Sequence, residues 1–218
     1  MNSGKDNPYI RSFYDHAEKN GFSRTWMFNG DNLEQYIDTA IDAYSDYALF
    51  RHLFRGRYDP ELFAHMMNVD FRSRLGITAG IASSGKYESI MLAEPPKTGK
   101  TGMSDYLNVA RPGDFRLLLE PIIYRLESFE KYSRENRAEF LDDNTWYVYI
   151  FATKKAYQRK GCGKKLMEEL ISYAGENGFR LCLETNESGN LGLYEHFGFR
   201  TVKKLLFQNT LEHYIMEK

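Results

Sequence analysis

With only two cysteines in 218 residues, Cys162 and Cys182, the chain has too few thiols for a disulfide framework, and no Cys/His spacing in it matches a zinc site. Both thiols are expected to be free, and no metal is expected. No apolar run approaches the roughly 20 residues that cross a bilayer as a helix, and Met1 to Asn7 lacks the apolar core of a signal peptide. The expectation is a soluble, cytoplasmic protein without membrane contact. A surplus of one charge sign is missing as well: 29 Lys and Arg stand against 30 Asp and Glu, a formal net charge of -1. Nucleic-acid binding as a main purpose normally needs an extended basic face, so that class is set aside. Internal repeats and low-complexity tracts are also absent.

What is abundant is aromatic: 16 Tyr and 15 Phe within an otherwise ordinary composition of 42% hydrophobic and 27% charged residues. Core filling is the first use expected of these rings, and lining a cleft is the second. The length suits one domain, residues 1–218, with residues 1–24 as an N-terminal extension and 95–145 as a helical insertion.

Apolar residues at Leu33, Tyr36, Ile37, Ala40, Ile41 and Tyr44 recur three and four apart and predict an amphipathic helix behind Asp31 or Asn32. A second helix is predicted from Asp59-Pro60-Glu61, burying Leu62, Phe63, Met66 and Met67, with a helical piece between them at Asp46 to Arg55. Ile77 to Ala82 and Tyr87 to Ala93 read as strands joined by a hairpin turn at Ser83-Ser84-Gly85-Lys86. In the insertion, a short helix near Ser104 to Val109 precedes a longer one from about Asp114, which Pro121 is expected to break or kink. Trp146 to Ala152 is a strongly apolar strand, Gly163 begins a helix that Gly178 ends, and Phe179 to Glu184 alternates as the next strand. Asn190 opens a short helix, and Arg200 to Phe207 and Leu211 to Met216 complete the chain as antiparallel strands. Strands and helices in this order predict a mixed α/β (α+β) sheet, and the helix at 164–177 should be a right-handed crossover between two parallel strands.

Between the apolar strand and that helix lies Gln158-Arg159-Lys160-Gly161-Cys162-Gly163, with Lys154, Lys155, Lys164 and Lys165 beside it and no acid among them. A glycine turn opening a helix presents backbone N–H groups and the positive end of the helix dipole to an anion, and the local cations add to it. A multiply charged phosphate ligand is the simplest partner. A solvated loop is the bland alternative for such a turn taken alone.

This turn, followed by Asn190, Tyr194 and Gly198-Phe199, resembles the GCN5-related N-acetyltransferase (GNAT) superfamily, whose pyrophosphate pattern is Gln/Arg-x-x-Gly-x-Gly/Ala. The resemblance is strong from about Trp146 to Phe207 and topological from about Thr25 to Ala93. Lys155 stands where the family usually has proline, and Arg159 where glycine is common. The resemblance implies a single-domain GNAT fold, a mostly antiparallel sheet whose central parallel pair splays around acetyl-CoA. It implies that backbone groups from Arg159 through Lys160, Gly161, Cys162 and Gly163 to Lys164 hold the pyrophosphate, with Gln158 in the same motif. Phe151 and Thr153 would offer main-chain groups to the pantetheine arm and the oxyanion, Asn190 would orient the arm, and Tyr194 would protonate the departing thiolate.

Each of these residues also has a structural reading: Asn190 as a helix cap, Tyr194 as a packed ring, Cys162 as a small residue between glycines, and His196 as a surface residue. The general base is left open among Glu94, Glu184 and Glu88, with Glu94, at a strand end, named first. Pro96-Lys97-Thr98-Gly99-Lys100-Thr101 imitates the end of a Walker A loop, but Glu94 stands where that pattern requires glycine. The segment reads as a surface loop.

The expected activity is transfer of an acetyl group from acetyl-CoA to a primary amine by direct attack. The helical N-terminal half and the insertion resemble the puromycin-acetyltransferase-like branch, which favours a small-molecule acceptor. A protein N-terminal or lysine acetyltransferase and an acyl-CoA-binding regulatory module without turnover are the alternatives, and a homodimer stays open.

Overall fold

Six strands, β1 (Ala79–Ala82), β2 (Ser89–Glu94), β3 (Thr145–Thr153), β4 (Arg180–Thr185), β5 (Arg200–Phe207) and β6 (Leu211–Glu217), form one sheet in the order β1-β2-β3-β4-β6-β5. The computed structural model describes residues 7–98 and 102–218; the Walker-like stretch at 96–101 therefore falls partly outside the described residues. Every neighbouring pair is antiparallel except β3 with β4. These two are joined by the crossover helix α7 (Cys162–Asn177), which returns the chain to the same end of the sheet and so makes them parallel.

The parallel pairing is short. Thr145 to Val148 match Arg180 to Leu183, after which β3 continues against β2 alone and β4 against β6 alone. The parting has a local cause. Leu92 and Ala93 oppose Ile150 and Val148, leaving Tyr149 as an extra residue on β3. Such a bulge bends the strand and sharpens its twist. It also shifts the alternation of side chains: Trp146 and Val148 face one side of the sheet, Ile150 the other, and Phe151 the first side again.

On the first side α7 packs Leu166, Leu170 and Tyr173 against Trp146, together with α1 (Pro8–Lys19). In α1, Asn7 Oδ1 accepts from the amide of Tyr9 at 3.0 Å, Pro8 fills the first turn where no N–H is needed, and Ile10, Phe13 and Ala17 are buried. The N-terminal extension thus contributes core, with Phe13 wholly buried against Trp146 and Tyr173.

The opposite side is covered by α2 (Leu33–Tyr44), α3 (Ala48–Phe54), α4 (Pro60–Ser73) and the insertion. Asp59 caps α4 by accepting from the Leu62 amide at 3.0 Å. The insertion consists of α5 (Met103–Val109), a 3₁₀ stretch (Pro112–Leu119) and α6 (Pro121–Arg137). Pro121 does not break a helix that began at Asp114. It starts α6, the position where its missing N–H is no loss. Asp114, buried, accepts from Arg72 at 2.9 Å and lies 2.7 Å from His65 Nδ1, which ties the insertion to α4. Finally α8 (Leu191–His196) bridges β4 and β5. Among the described residues no helix is long and apolar enough to cross a membrane.

Candidate active site

Beyond β3 the chain makes a 3₁₀ turn at Lys155–Tyr157, and then Arg159 and Gly161 both take left-handed backbone conformations, with φ of 60° and 79°. Gly161 is the residue before α7 and has no side chain to cap it; the first turn of α7 carries no acid. The Cys162 and Gly163 amides are left for an external acceptor, at the positive end of a 16-residue helix, while the Lys164 amide donates to the Gly161 carbonyl at 3.1 Å.

The two glycines of the motif answer different demands. Nothing would crowd a Cβ on Gly161, so its requirement is the positive φ. A Cβ on Gly163 would lie 2.9 Å from Phe151 Cζ and 3.2 Å from Thr153 Oγ1. Helix α7 rests directly on β3 there, a packing demand that the sequence motif alone does not separate from ligand approach. Arg159 adopts a left-handed conformation that glycine takes more readily.

Of the six clustered cations, Lys155 is held by Asp46 at 3.2 Å and Lys164 by Glu168 at 3.6 Å. Lys160 lies over the Tyr157 ring and Lys165 over the Phe22 ring. Among the described residues Lys154, Arg159 and Lys160 have no ion-pair partner. The turn thus keeps uncommitted positive charge beside open amides.

Where β3 and β4 part, a cavity of about 550 Å³ opens on the α2–α6 side of the sheet. Phe151, Asn190 and Tyr194 line it. The Phe151 carbonyl accepts from the Tyr44 hydroxyl at 3.2 Å, and the Thr153 carbonyl accepts from Gln158 Nε2 at 3.3 Å, so neither carbonyl is used by β4. Asn190 does not cap α8. Its amide donates to Thr185 Oγ1 at 3.3 Å, which removes the cap as an explanation for this residue.

Tyr194 on α8 is buried, its ring 6.4 Å from Phe151 and 6.2 Å from Phe199, and no described residue hydrogen-bonds its hydroxyl. Burial pushes that phenol well above its ordinary range, and the neighbouring Tyr47 and Tyr44 add to the shift. Tyr194 therefore stays protonated. Cys162 is partly exposed in the turn, and His196 lies on the surface.

The three carboxylates singled out in the sequence part company here. Glu88 sits in the β1–β2 hairpin accepting from Ser84 at 2.6 Å and Ser83 at 3.1 Å, away from the cavity. Glu94 and Glu184 both line it. Glu94 is ion-paired to Arg74, whose guanidinium lies 3.3 Å over the Tyr149 ring and also reaches Asp70 at 3.2 Å.

Glu184, at the parting point, accepts from the Tyr147 hydroxyl at 2.6 Å, the Ser133 hydroxyl at 2.8 Å and Arg137 at 3.2 Å, with His213 Nε2 at 3.1 Å. Burial alone would raise its pKa. The His213 hydrogen bond, the Arg137 charge and Tyr147 outweigh burial and hold it at about 2. So saturated a carboxylate is a structural anchor and a poor proton acceptor.

Its folded pKa lies below the ordinary 4.5. The stability it contributes is therefore complete above about pH 4.5 and lost as pH falls from there toward about 2. Wild type is expected to exceed Glu184→Gln in unfolding free energy by about 3 kcal/mol at pH 7. Denaturant titrations should show that advantage shrinking through this window.

A fourth carboxylate, Glu130 on α6, lines the cavity without an ion pair or hydrogen bond from any described residue. The sequence reading missed it. Its spacing to Ser133 and Arg137 places the three on one helix face, but nothing in the local sequence shows that this face looks toward β4.

Residues 132–201 match the profile of the acetyltransferase (GNAT) domain family. An uncharacterised N-acetyltransferase of Schizosaccharomyces pombe is 28% identical over 109 residues, 44% of this chain. That match spans only 42% of the yeast protein's length. Among solved structures, the C-terminal condensation domain of Ebony, in complex with β-alanyl-dopamine, aligns over 88% of this chain and 96% of its own, with TM-score 0.63 and 8% identity. Arylalkylamine N-acetyltransferase 2 from Aedes aegypti aligns over 88% of this chain and 96% of its own, with TM-score 0.55 and 16% identity. At such identities the structural likeness concerns the fold.

Proposed function

The chain belongs to the GNAT acetyltransferase superfamily, and on that premise we propose that it transfers the acetyl group of acetyl-CoA to a primary amine by direct attack, with a small molecule as acceptor. The observation that carries this reading is a set of features brought together around the parting of β3 from β4. Its parts are the open amides at the start of α7, the edge of β3 that β4 leaves unpaired beyond Val148, and Tyr194 and Phe151 in the wall of the cavity.

Coenzyme A carries a pyrophosphate and a ribose phosphate. In this proposal the amides from Arg159 to Lys164 take the first, and Lys154, Arg159 and Lys160 meet the second. The main chain of Phe151 and Thr153 pairs with the pantetheine arm as an added strand would, displacing the Tyr44 hydroxyl from the Phe151 carbonyl. Asn190 orients the arm. The amine attacks the thioester carbon, the C–N bond forms as the C–S bond breaks, and Tyr194 gives its proton to the leaving sulfur. Amides of β3 at the parting point stabilise the oxyanion. A small-molecule acceptor suits a cavity roofed by the insertion, which joins β2 to β3 with far more chain than a plain connection needs.

The test is a screen of primary amines for acceptor-dependent CoA release by the full chain. Release with at least one amine is the expected result. Acetyl-CoA binding by calorimetry with no amine supporting release would instead make the protein a cofactor-binding module.

A further inference from the structure

We propose, building on the acetyltransferase reading above, that Glu130 is the general base that receives the acceptor's ammonium, and that the acceptor is an amine on an apolar body reaching the rim formed by Leu107, Phe115 and Leu118. The placement of Glu130 comes from α6. Ser133 and Arg137, three and seven residues on, contact Glu184 at the point where β3 and β4 part. Residues three and seven apart share a helix face, so Glu130 stands one turn further along the same face, over the opening.

Charge decides what it can bind. The charged groups that share the cavity with it are Asp70 from α4 and Arg74 just after that helix, Glu94 from β2, Asp114 from the 3₁₀ stretch, Glu184 from β4, and Glu127, Arg134 and Arg137 from its own helix. Arg74 is committed to Asp70 and Glu94, and Arg137 to Glu184. Arg134 is not within ion-pair distance of Glu130. The phenols of Tyr106 and Tyr149 and the ring of His213 complete the polar surroundings. Among the described residues Glu127 and Glu130 are the cavity carboxylates without an ion pair or hydrogen bond, and Glu130 is the more enclosed of the two, so a cation entering the cavity is its natural complement. Burial raises its pKa above the ordinary glutamate range, Arg137 and Arg74 restrain the rise, and Asp70 and Glu184 add to it. That direction makes it a stronger proton acceptor than an ordinary exposed glutamate.

The exposed part of the cavity wall has the opposite character. Leu107 from α5 and Phe115 and Leu118 from the 3₁₀ stretch line it while 42%, 47% and 41% exposed, so they form its mouth. Three exposed apolar side chains beside one entrance are covered when an apolar ligand body occupies it. A carboxylate for the ammonium and an apolar rim for the rest of the molecule suit an alkyl or aryl amine better than an amino sugar.

The protons balance. Glu130 takes one proton from the ammonium and returns it to solvent, and the neutral amine attacks the carbonyl carbon. The nitrogen loses its second proton as the C–S bond breaks. Tyr194 protonates the thiolate and recovers a proton from the nitrogen through water.

The experiment compares hexylamine and 2-phenylethylamine with 2-aminoethanol and glucosamine in CoA-release kinetics, and measures acetyl-CoA binding by calorimetry. The apolar amines are expected to show at least about tenfold higher kcat/KM. Glu130→Gln should lower kcat/KM about 10²-fold at pH 7 and abolish the acidic limb of its pH profile, with acetyl-CoA affinity unchanged. Glu130→Asp, which keeps the charge, should retain the limb at reduced rate, and it serves if Glu130→Gln does not fold. Phe115→Ser and Leu118→Ser, at exposed positions, should raise KM for hexylamine more than for 2-aminoethanol. An unaltered limb in Glu130→Gln, a limb that follows Glu94→Gln instead, or equal use of polar and apolar amines would overturn the proposal. A wild-type protein that binds acetyl-CoA yet releases CoA with no amine would overturn the acetyltransferase reading itself, a result distinct from these.

Discussion

Tyr194→Phe is expected to lower turnover with a good acceptor about 10²–10⁴-fold while leaving acetyl-CoA affinity and stability nearly unchanged. The substitution keeps the ring, and the ring makes the packing contacts with Phe151 and Phe199. It removes a hydroxyl that no described residue engages, so no internal hydrogen bond is lost with it. A tyrosine whose only task is packing would show no rate effect at all. The raised pKa of the phenol means that it is neutral throughout the working range, always holding the proton it must give. Transfer from so weak an acid is driven by the thiolate, whose new charge in a buried site has few other means of stabilisation. Steady-state rates, unfolding curves and calorimetry on the one variant check all three parts. Wild-type turnover would pass the donor role to water.

Gly161→Val is expected to weaken acetyl-CoA binding by about 3 kcal/mol, on the order of a hundredfold in Kd. Valine disfavours the φ of 79° that sets the turn, and relief of that strain rotates the leading amides of α7 away from their shared focus. Asparagine tolerates the left-handed region far better, so Gly161→Asn should retain most of the affinity. Gly163→Ala should fail differently, through the contacts its Cβ makes with Phe151 and Thr153, and its loss should register in thermal stability as well as in binding. Calorimetry on the folded variants separates the three. Unchanged affinity in Gly161→Val would remove the turn from the cofactor site.

The chain's local chemistry was legible where it works over a few residues. Asp59-Pro60 starts a helix because a side-chain acceptor and a missing N–H suit the first turn in any context, and the strand–turn–helix around Gly161 follows from glycine's freedom at positive φ. The parallel pairing of β3 and β4 followed from a crossover helix of one hand. The start of α1 was equally present, in Asn7-Pro8 and the spacing of Ile10, Phe13 and Ala17, although residues 1–24 read only as an extension. Pro121 was misread for a related reason: a proline that ends one helix and a proline that begins the next look alike until the chain on both sides is placed.

The sequence by itself determined the glycine turn before α7, the succession of strands and helices around it, and the short helix after β4 that carries Tyr194 with Asn190 just before it, because each depends on neighbours close along the chain. Tertiary structure alone decided which carboxylate is free. Glu88, Glu94, Glu184 and Glu130 are chemically one residue type, and what separates them is a hairpin serine, the guanidinium of Arg74, the ring of His213 with Arg137, or the lack of any partner. Those partners are brought from elements far away in sequence. The parting of β3 from β4 at Tyr149 belongs to the same class, since a bulge exists only relative to the strand it opposes.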